Sequence, residues 1–195
     1  MNRKVISLAI VGLTFLLLGC GSEESGQKTP PPIKIQSLSG MEYGVIDGDL
    51  ANNDRSVSGT GTMIFKNPLN RDDNNYTLNF SLEENGSLTL ISNAQAGLKS
   101  PVALTFERRA ADKLAIVLKD GDQSYELQDS FTGLSAAGEI SVQVDVHEHG
   151  HIVMWIGSEE DEWAFTSEVN GTFWGLKLSS AVVNSVKLDQ AKEVH

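Results

Sequence analysis

The chain of 195 residues contains one cysteine, which excludes an internal disulfide framework and a cysteine-built zinc centre. It is poor in positive charge: 15 Lys and Arg stand against 26 Asp and Glu, a formal net charge of -11. Nucleic-acid affinity rests on Lys and Arg neutralising phosphates, so nucleic acid is excluded as a partner. Apolar runs are also scarce. The longest, Val5 to Leu18, has 14 largely apolar residues, short of the roughly 20 that a membrane-spanning helix needs. No window after residue 37 carries the period of a long amphipathic helix. The glycine-containing string Ser58–Met63 has no helix after it to complete a nucleotide loop, and no Ser/His/Asp order is present. Charged residues make up only 21% and apolar residues 40%, which argues against a wholly disordered chain.

What is present begins with an address. Asn2-Arg3-Lys4 followed by Val5 to Leu18 has the charged start and apolar core of a signal peptide, expected over 1–19. Leu17-Leu18-Gly19-Cys20 resembles the bacterial lipobox, which implies diacylglycerol on the Cys20 thiol and cleavage before it. Several acyl chains on one residue give durable attachment, where a single chain is marginal. Gly21 stands where Asp would retain a lipoprotein in the inner membrane, so the resemblance points to the outer membrane of a two-membrane envelope. Residues 20–36 then read as a tether. They lack apolar periodicity until Ile33, and Pro30-Pro31-Pro32 favours a semi-rigid polyproline segment. Loss of Arg3 and Lys4 with the leader leaves 13 basic against 26 acidic residues, a net charge of -13.

Residues 37–195 are expected to form one domain, and its pattern is strand after strand. Tyr76, Leu78, Phe80 and Leu82 alternate with polar residues. So do Val102, Leu104 and Phe106, then Ile140 to Val146, then Trp174, Leu176 and Leu178. Period 2 means one buried and one wet face. With shorter candidates between them, and with Met41–Ile46 and Ser56–Phe65, eleven or twelve strands are expected. Turn signals such as Asn85-Gly86, Asp120-Gly121 and Asn170-Gly171 separate them. No gap holds a crossover helix, so the strands must pair mostly antiparallel, as a two-sheet sandwich or a barrel.

The segments ISVQVDVHEHGHIVMWI and GTFWGLKLSSAVVNSVKL, with the run from Tyr76 to Leu188, resemble the concanavalin-like jelly roll that includes laminin-G-like modules. The resemblance implies an all-β, antiparallel two-sheet sandwich. It also implies a domain that binds glycans or proteins, often with calcium, with glycosidases among its members.

Apart from His195, every histidine lies in His147-Glu148-His149-Gly150-His151. The string matches H-E-x-x-H, so one reading is a zinc metalloprotease using His147, Glu148 and His151. That chemistry needs a helix to bring residues four apart onto one face, and the flanking β-pattern refuses one. A second reading compares Gln143, Asp145 and Glu148 with the E-x-D-x-x-E of jelly-roll laminarinases. Gln143 stands where the nucleophile belongs, and an amide cannot attack the anomeric carbon. A third takes the strand literally: Asp145, His147 and His149 share its polar face about 7 Å apart, with His151 nearby, as a divalent-metal site for zinc. The plain alternative is an exposed hairpin turn.

Calcium prefers six to eight oxygens. Candidate donors are Asp72 and Asp73 in one acidic turn and Asp120 and Asp122 in another, against the ordinary preference of turns for Asp, Asn and Gly. Of three tryptophans, Trp155 lies in the unbroken apolar run Ile152–Ile156 and is expected in the core, as is Trp174. Trp163 flanks the acidic Glu159–Glu162 and is the candidate aromatic platform for a ligand. The composite expectation is a lipid-anchored envelope protein, without catalytic residues, whose sandwich binds a glycan or an envelope protein. A zinc protease and a purely structural envelope protein are the alternatives.

Overall fold

The computed structural model describes residues 35–69, 74–127, 138–147 and 150–190. The leader, Cys20, most of the tether, Asp72, Asp73, Glu148, His149 and His195 lie outside these residues. The described residues form eleven strands: β1 (Ile35–Leu38), β2 (Met41–Asn52), β3 (Val57–Phe65), β4 (Asn74–Ala94), β5 (Val102–Ala110), β6 (Lys113–Asp120), β7 (Gln123–Leu127), β8 (Ile140–His147), β9 (His151–Ile156), β10 (Glu159–Ala164) and β11 (Phe173–Gln190). Every pairing is antiparallel. The fold is the expected all-β sandwich of jelly-roll type. β1 starts inside the stretch expected to be tether.

Two long strands make the sandwich. One edge of β4 pairs with β11 along nearly its whole length, from Asn74 opposite Gln190 to Ala94 opposite Phe173. The other edge is shared: residues 74–80 pair with β8, and residues 87–91 pair with β5. The first sheet therefore runs β10-β9-β8-β4-β11, and the second runs β7-β6-β5-β4-β11-β3-β2-β1. Hydrogen bonding is continuous from one to the other because β4 folds over. An extended strand would hold Tyr76 and Ser92 about 50 Å apart. Their hydroxyl oxygens are 2.6 Å apart inside the protein.

The corner is chemically specified. Leu82 pairs with Ala181 and Ser87 with Ser179, so Glu83 to Gly86 bulge out opposite the single residue Ser180. Asn85 (φ 60°) and Ser180 (φ 48°) take left-handed conformations there. A Cβ on Gly86 would lie 2.4 Å from the Ser180 carbonyl oxygen, so only glycine fits. Arg108 of β5 donates to the Leu82 carbonyl at 2.8 Å, at the start of the bend. Asn85-Gly86 is thus a turn signal, as read, but it bends one strand and does not separate two. The register shift between Ser179 and Ala181 likewise bends β11 without ending it. Two pairs of expected strands fuse, and β1 is added.

The alternating sets all face inward. Tyr76, Leu78, Phe80, Leu104, Phe106, Val144, Trp174, Leu176 and Leu178 are essentially inaccessible. Trp174 stacks on Phe65 at 4.0 Å between ring centres, Tyr76 tilts against it at 5.2 Å, and Phe80 meets Phe106 at 5.2 Å across the two sheets. Each such ring contributes roughly 1.5–3 kcal/mol by burial. With no disulfide available, this core carries the stability.

Candidate ligand-binding face

The polar residues between those core positions line the outer surface of the first sheet. Register places them in rows. Glu160, Trp155, Gln143, Thr77 and Lys187 lie side by side across β10, β9, β8, β4 and β11. The next row is Glu162, Val153, Asp145, Asn75 and Asp189. On the other side, Ser141 faces Asn79, whose amide donates to the Ser185 hydroxyl at 2.6 Å. Neighbours in a row stand about 5 Å apart, a spacing on which sugar hydroxyls can meet successive side chains.

Trp155 corrects the expectation of a core residue. β9 carries Ile152 and Met154 inward, so Val153 and Trp155 must face out. Trp155 is half-buried, and its indole Nε1 donates to Glu160 at 2.8 Å, which fixes the ring. Trp163 pairs with the buried Ile152 on the inner side of β10 and packs against the core, so it is no exposed platform. Trp174 is inside, as expected.

The histidines sit at the end of this face. His147 and His151 are a cross-strand pair closing the β8–β9 hairpin, with rings stacked at 4.1 Å. Asp145 flanks His147 at 3.9 Å and Glu162 flanks His151 at 3.7 Å, both longer than a hydrogen bond. The helix that the protease motif requires is absent, because His147 ends β8 and His151 opens β9, so the string is not a zincin helix. The hairpin brings them together by another route. Among the described residues no group of three or more His, Cys, Asp or Glu has metal-holding geometry. Gln143 and Asp145 share the outer face of β8, as its alternation requires.

Asp120 has a different task from calcium binding. Its Oδ2 accepts from the Thr166 amide at 2.7 Å and hydroxyl at 3.0 Å, and its Oδ1 from the Ser167 amide at 2.9 Å. Hydrogen bonds from Ser167, then from Thr166, hold its carboxyl down to about 2. Its oxygens are spent on clasping the 165–168 segment to the β6–β7 hairpin. Asp122, one turn residue on, is exposed.

The clasp borders an open cleft of about 610 Å³ at the end of the second sheet, lined by Asn93, Gln95, Lys99, Lys119, Glu168 and Asn170 among others. Sequence reasoning missed it. Its walls come from three separate segments, and the local signal among them, Asn170-Gly171, reads only as a turn.

No family profile and no curated protein sequence matches the chain. Solved structures share its fold. A carbohydrate-binding module, CBM66, from Bacillus subtilis aligns over 76% of this chain and 95% of its own at TM-score 0.58 and 9% identity. A legume lectin-like domain from Entamoeba histolytica aligns over 77% and 90% at TM-score 0.52 and 11% identity. The β-glucanase of Bacillus licheniformis aligns over 81% and 82% at TM-score 0.50 and 11% identity.

Proposed function

We propose that the protein is a lipid-anchored envelope protein whose first sheet binds a glycan without cleaving it. The observation that carries the reading is Trp155, a tryptophan turned out of the core into a row of hydrogen-bonding side chains. A sugar's C–H face stacks on the indole, and its hydroxyls meet Gln143, Thr77 and Asn79 as amide or hydroxyl partners and Glu160 and Asp145 as acceptors. The same fold in a carbohydrate-binding module and a lectin-like domain supports this choice. The face carries Asp145, Glu160, Glu162 and Asp189 against Lys187, which suits neutral, hydroxyl-rich rings. A glycan array with the wild-type protein and Trp155→Ala tests it. Binding of neutral glycans, weakened at least tenfold by the substitution, is expected. A silent array, or one unchanged by the substitution, overturns the reading.

Cys20 supplies the anchor in this reading, after a leader of signal-peptide character. A Cys20→Ser variant is expected to lose labelling by a fatty-acid analogue and to leave the membrane fraction. Retention of both sinks the anchor.

A further inference from the structure

The cleft at the end of the second sheet is built, not incidental. Four observations converge on it. First, two of its lining residues, Asn93 (φ 47°) and Leu98 (φ 56°), are non-glycine residues in left-handed backbone, and a leucine there is a genuine outlier. Such strain persists only where the surroundings over-determine it, and it concentrates at ligand sites. Here a tight 95–99 loop, closed by the Gln95 amide on the Lys99 carbonyl at 2.9 Å, folds Leu98 over Gly175 of β11.

Second, a buried relay aims one wall residue. Burial pushes the Tyr76 hydroxyl above its ordinary range, so it keeps its proton. Ser92 donates to Asn93 Oδ1 at 2.6 Å, which leaves its oxygen to accept from Tyr76, also at 2.6 Å. With Oδ1 engaged, the NH₂ is the one side-chain group of Asn93 left to serve the cleft it lines, on a residue only 4% exposed.

Third, the opposite wall is pinned at two points. The Asp120 clasp lies between Lys119 and the segment that carries Glu168. The Gly171 amide donates to the Asn93 carbonyl at 3.0 Å, so close that a Cβ on Gly171 would lie 1.9 Å from the Ala94 oxygen. This seats Asn170 beside Gln95, whose side-chain amides bond at 3.3 Å.

Fourth, lysines outnumber acids among the residues that line the cleft. Lys99 and Lys119 line the cleft as exposed side chains, Glu168 is the one acid among the lining residues, and among the described residues neither lysine has an ion-pair partner. In a protein of net charge -11, two ammonium groups on one cleft, beside the side-chain amides of Asn93, Gln95 and Asn170, concentrate positive charge.

We infer that this cleft binds a saccharide unit bearing an anionic group, carboxylate or sulfate, with Lys99 and Lys119 on the anion and Asn93, Gln95 and Asn170 on its hydroxyls. The volume suits one or two sugar rings. An ammonium is a point charge and accepts either anion, so the experiment separates the two. This site is separate from the Trp155 face and stands or falls without it.

The test is calorimetric titration of the full-length protein with a galacturonate tetramer, its methyl-esterified form, a sulfated galactose tetramer and the unsulfated tetramer. At least one charged probe is expected to bind ten or more times more tightly than its neutral counterpart, and that probe names the anion. The advantage should shrink as salt rises. Lys99→Gln/Lys119→Gln should abolish it, and Trp155→Ala should leave it intact. These exposed substitutions do not touch the core, and an unchanged melting temperature checks this. If neither charged probe outbinds its neutral form, or the double variant binds as well as wild type, the inference is overturned.

Discussion

The face around Trp155 and the cleft around Lys99 and Lys119 are built by opposite means. The face is flat and acidic, and strand register decides which side chains it shows: once β8 sends Val144 inward, Gln143 and Asp145 must point out. The cleft is lined by two lysines and one acid, and strained loops and buried hydrogen bonds set it, with partners as far apart in sequence as Asp120 and Thr166. A regular surface tolerates substitution one residue at a time. A surface held by buried polar contacts does not, because each lost partner strands another group away from water.

Three substitutions probe that contrast. The largest effect is expected from Asp120→Asn. Its NH₂ cannot accept what Oδ2 accepts, and the loss is about 2 kcal/mol, read by chemical denaturation. The wild-type carboxyl, held at about 2 when folded against about 3.9 when unfolded, stabilises fully above pH ~4. That contribution fades as pH falls toward ~2. The variant should lose this part of the acid slope and its anionic-saccharide affinity, while neutral-glycan binding on the sheet persists. A loss of both kinds of binding would mean the two regions are not separable.

Next, Tyr76→Phe keeps the packing on Trp174 and removes only the hydroxyl that feeds Ser92 and Asn93. We expect about 1 kcal/mol of destabilisation and a several-fold loss of affinity confined to the cleft; unchanged cleft affinity would show that the relay does not orient Asn93. The smallest effect belongs to the flat face. His151→Gln removes one ring from a half-exposed stacked pair and should shift stability by less than about 0.5 kcal/mol. A larger loss would give the hairpin a structural role that its distances from Asp145 and Glu162 do not suggest.

The two regions also differ in how much of them could be read beforehand. Alternation in Tyr76–Leu82, Ile140–Val146 and Trp174–Leu178 identifies the sandwich and its core, since period 2 is a local property. The outward turn of Trp155 is hidden in the sequence because the run Ile152–Ile156 is apolar at every position, which looks like a strand buried on both faces. β9 in fact has one face outward, and pairing with β8 and β10 decides which. Asn85-Gly86 names a bend but not whether the chain changes partner there. Asp120-Gly121-Asp122 looks like a cation loop, and the donors that claim Asp120 lie 46 residues away, beyond any local pattern. The H-E-x-x-H string is a reminder that its spacing has meaning only on a helix.

The pairing of β4 with β11 has a kinetic consequence. It joins residues about a hundred apart along the chain and spans both sheets, so neither sheet is complete until residues 173–190 have been synthesised. Partners so distant must first close a long loop, which slows folding. β4 must wait with one edge unpaired, open to other chains in the meantime. The molecule should therefore fold late and in a single cooperative step, with no half that stands by itself.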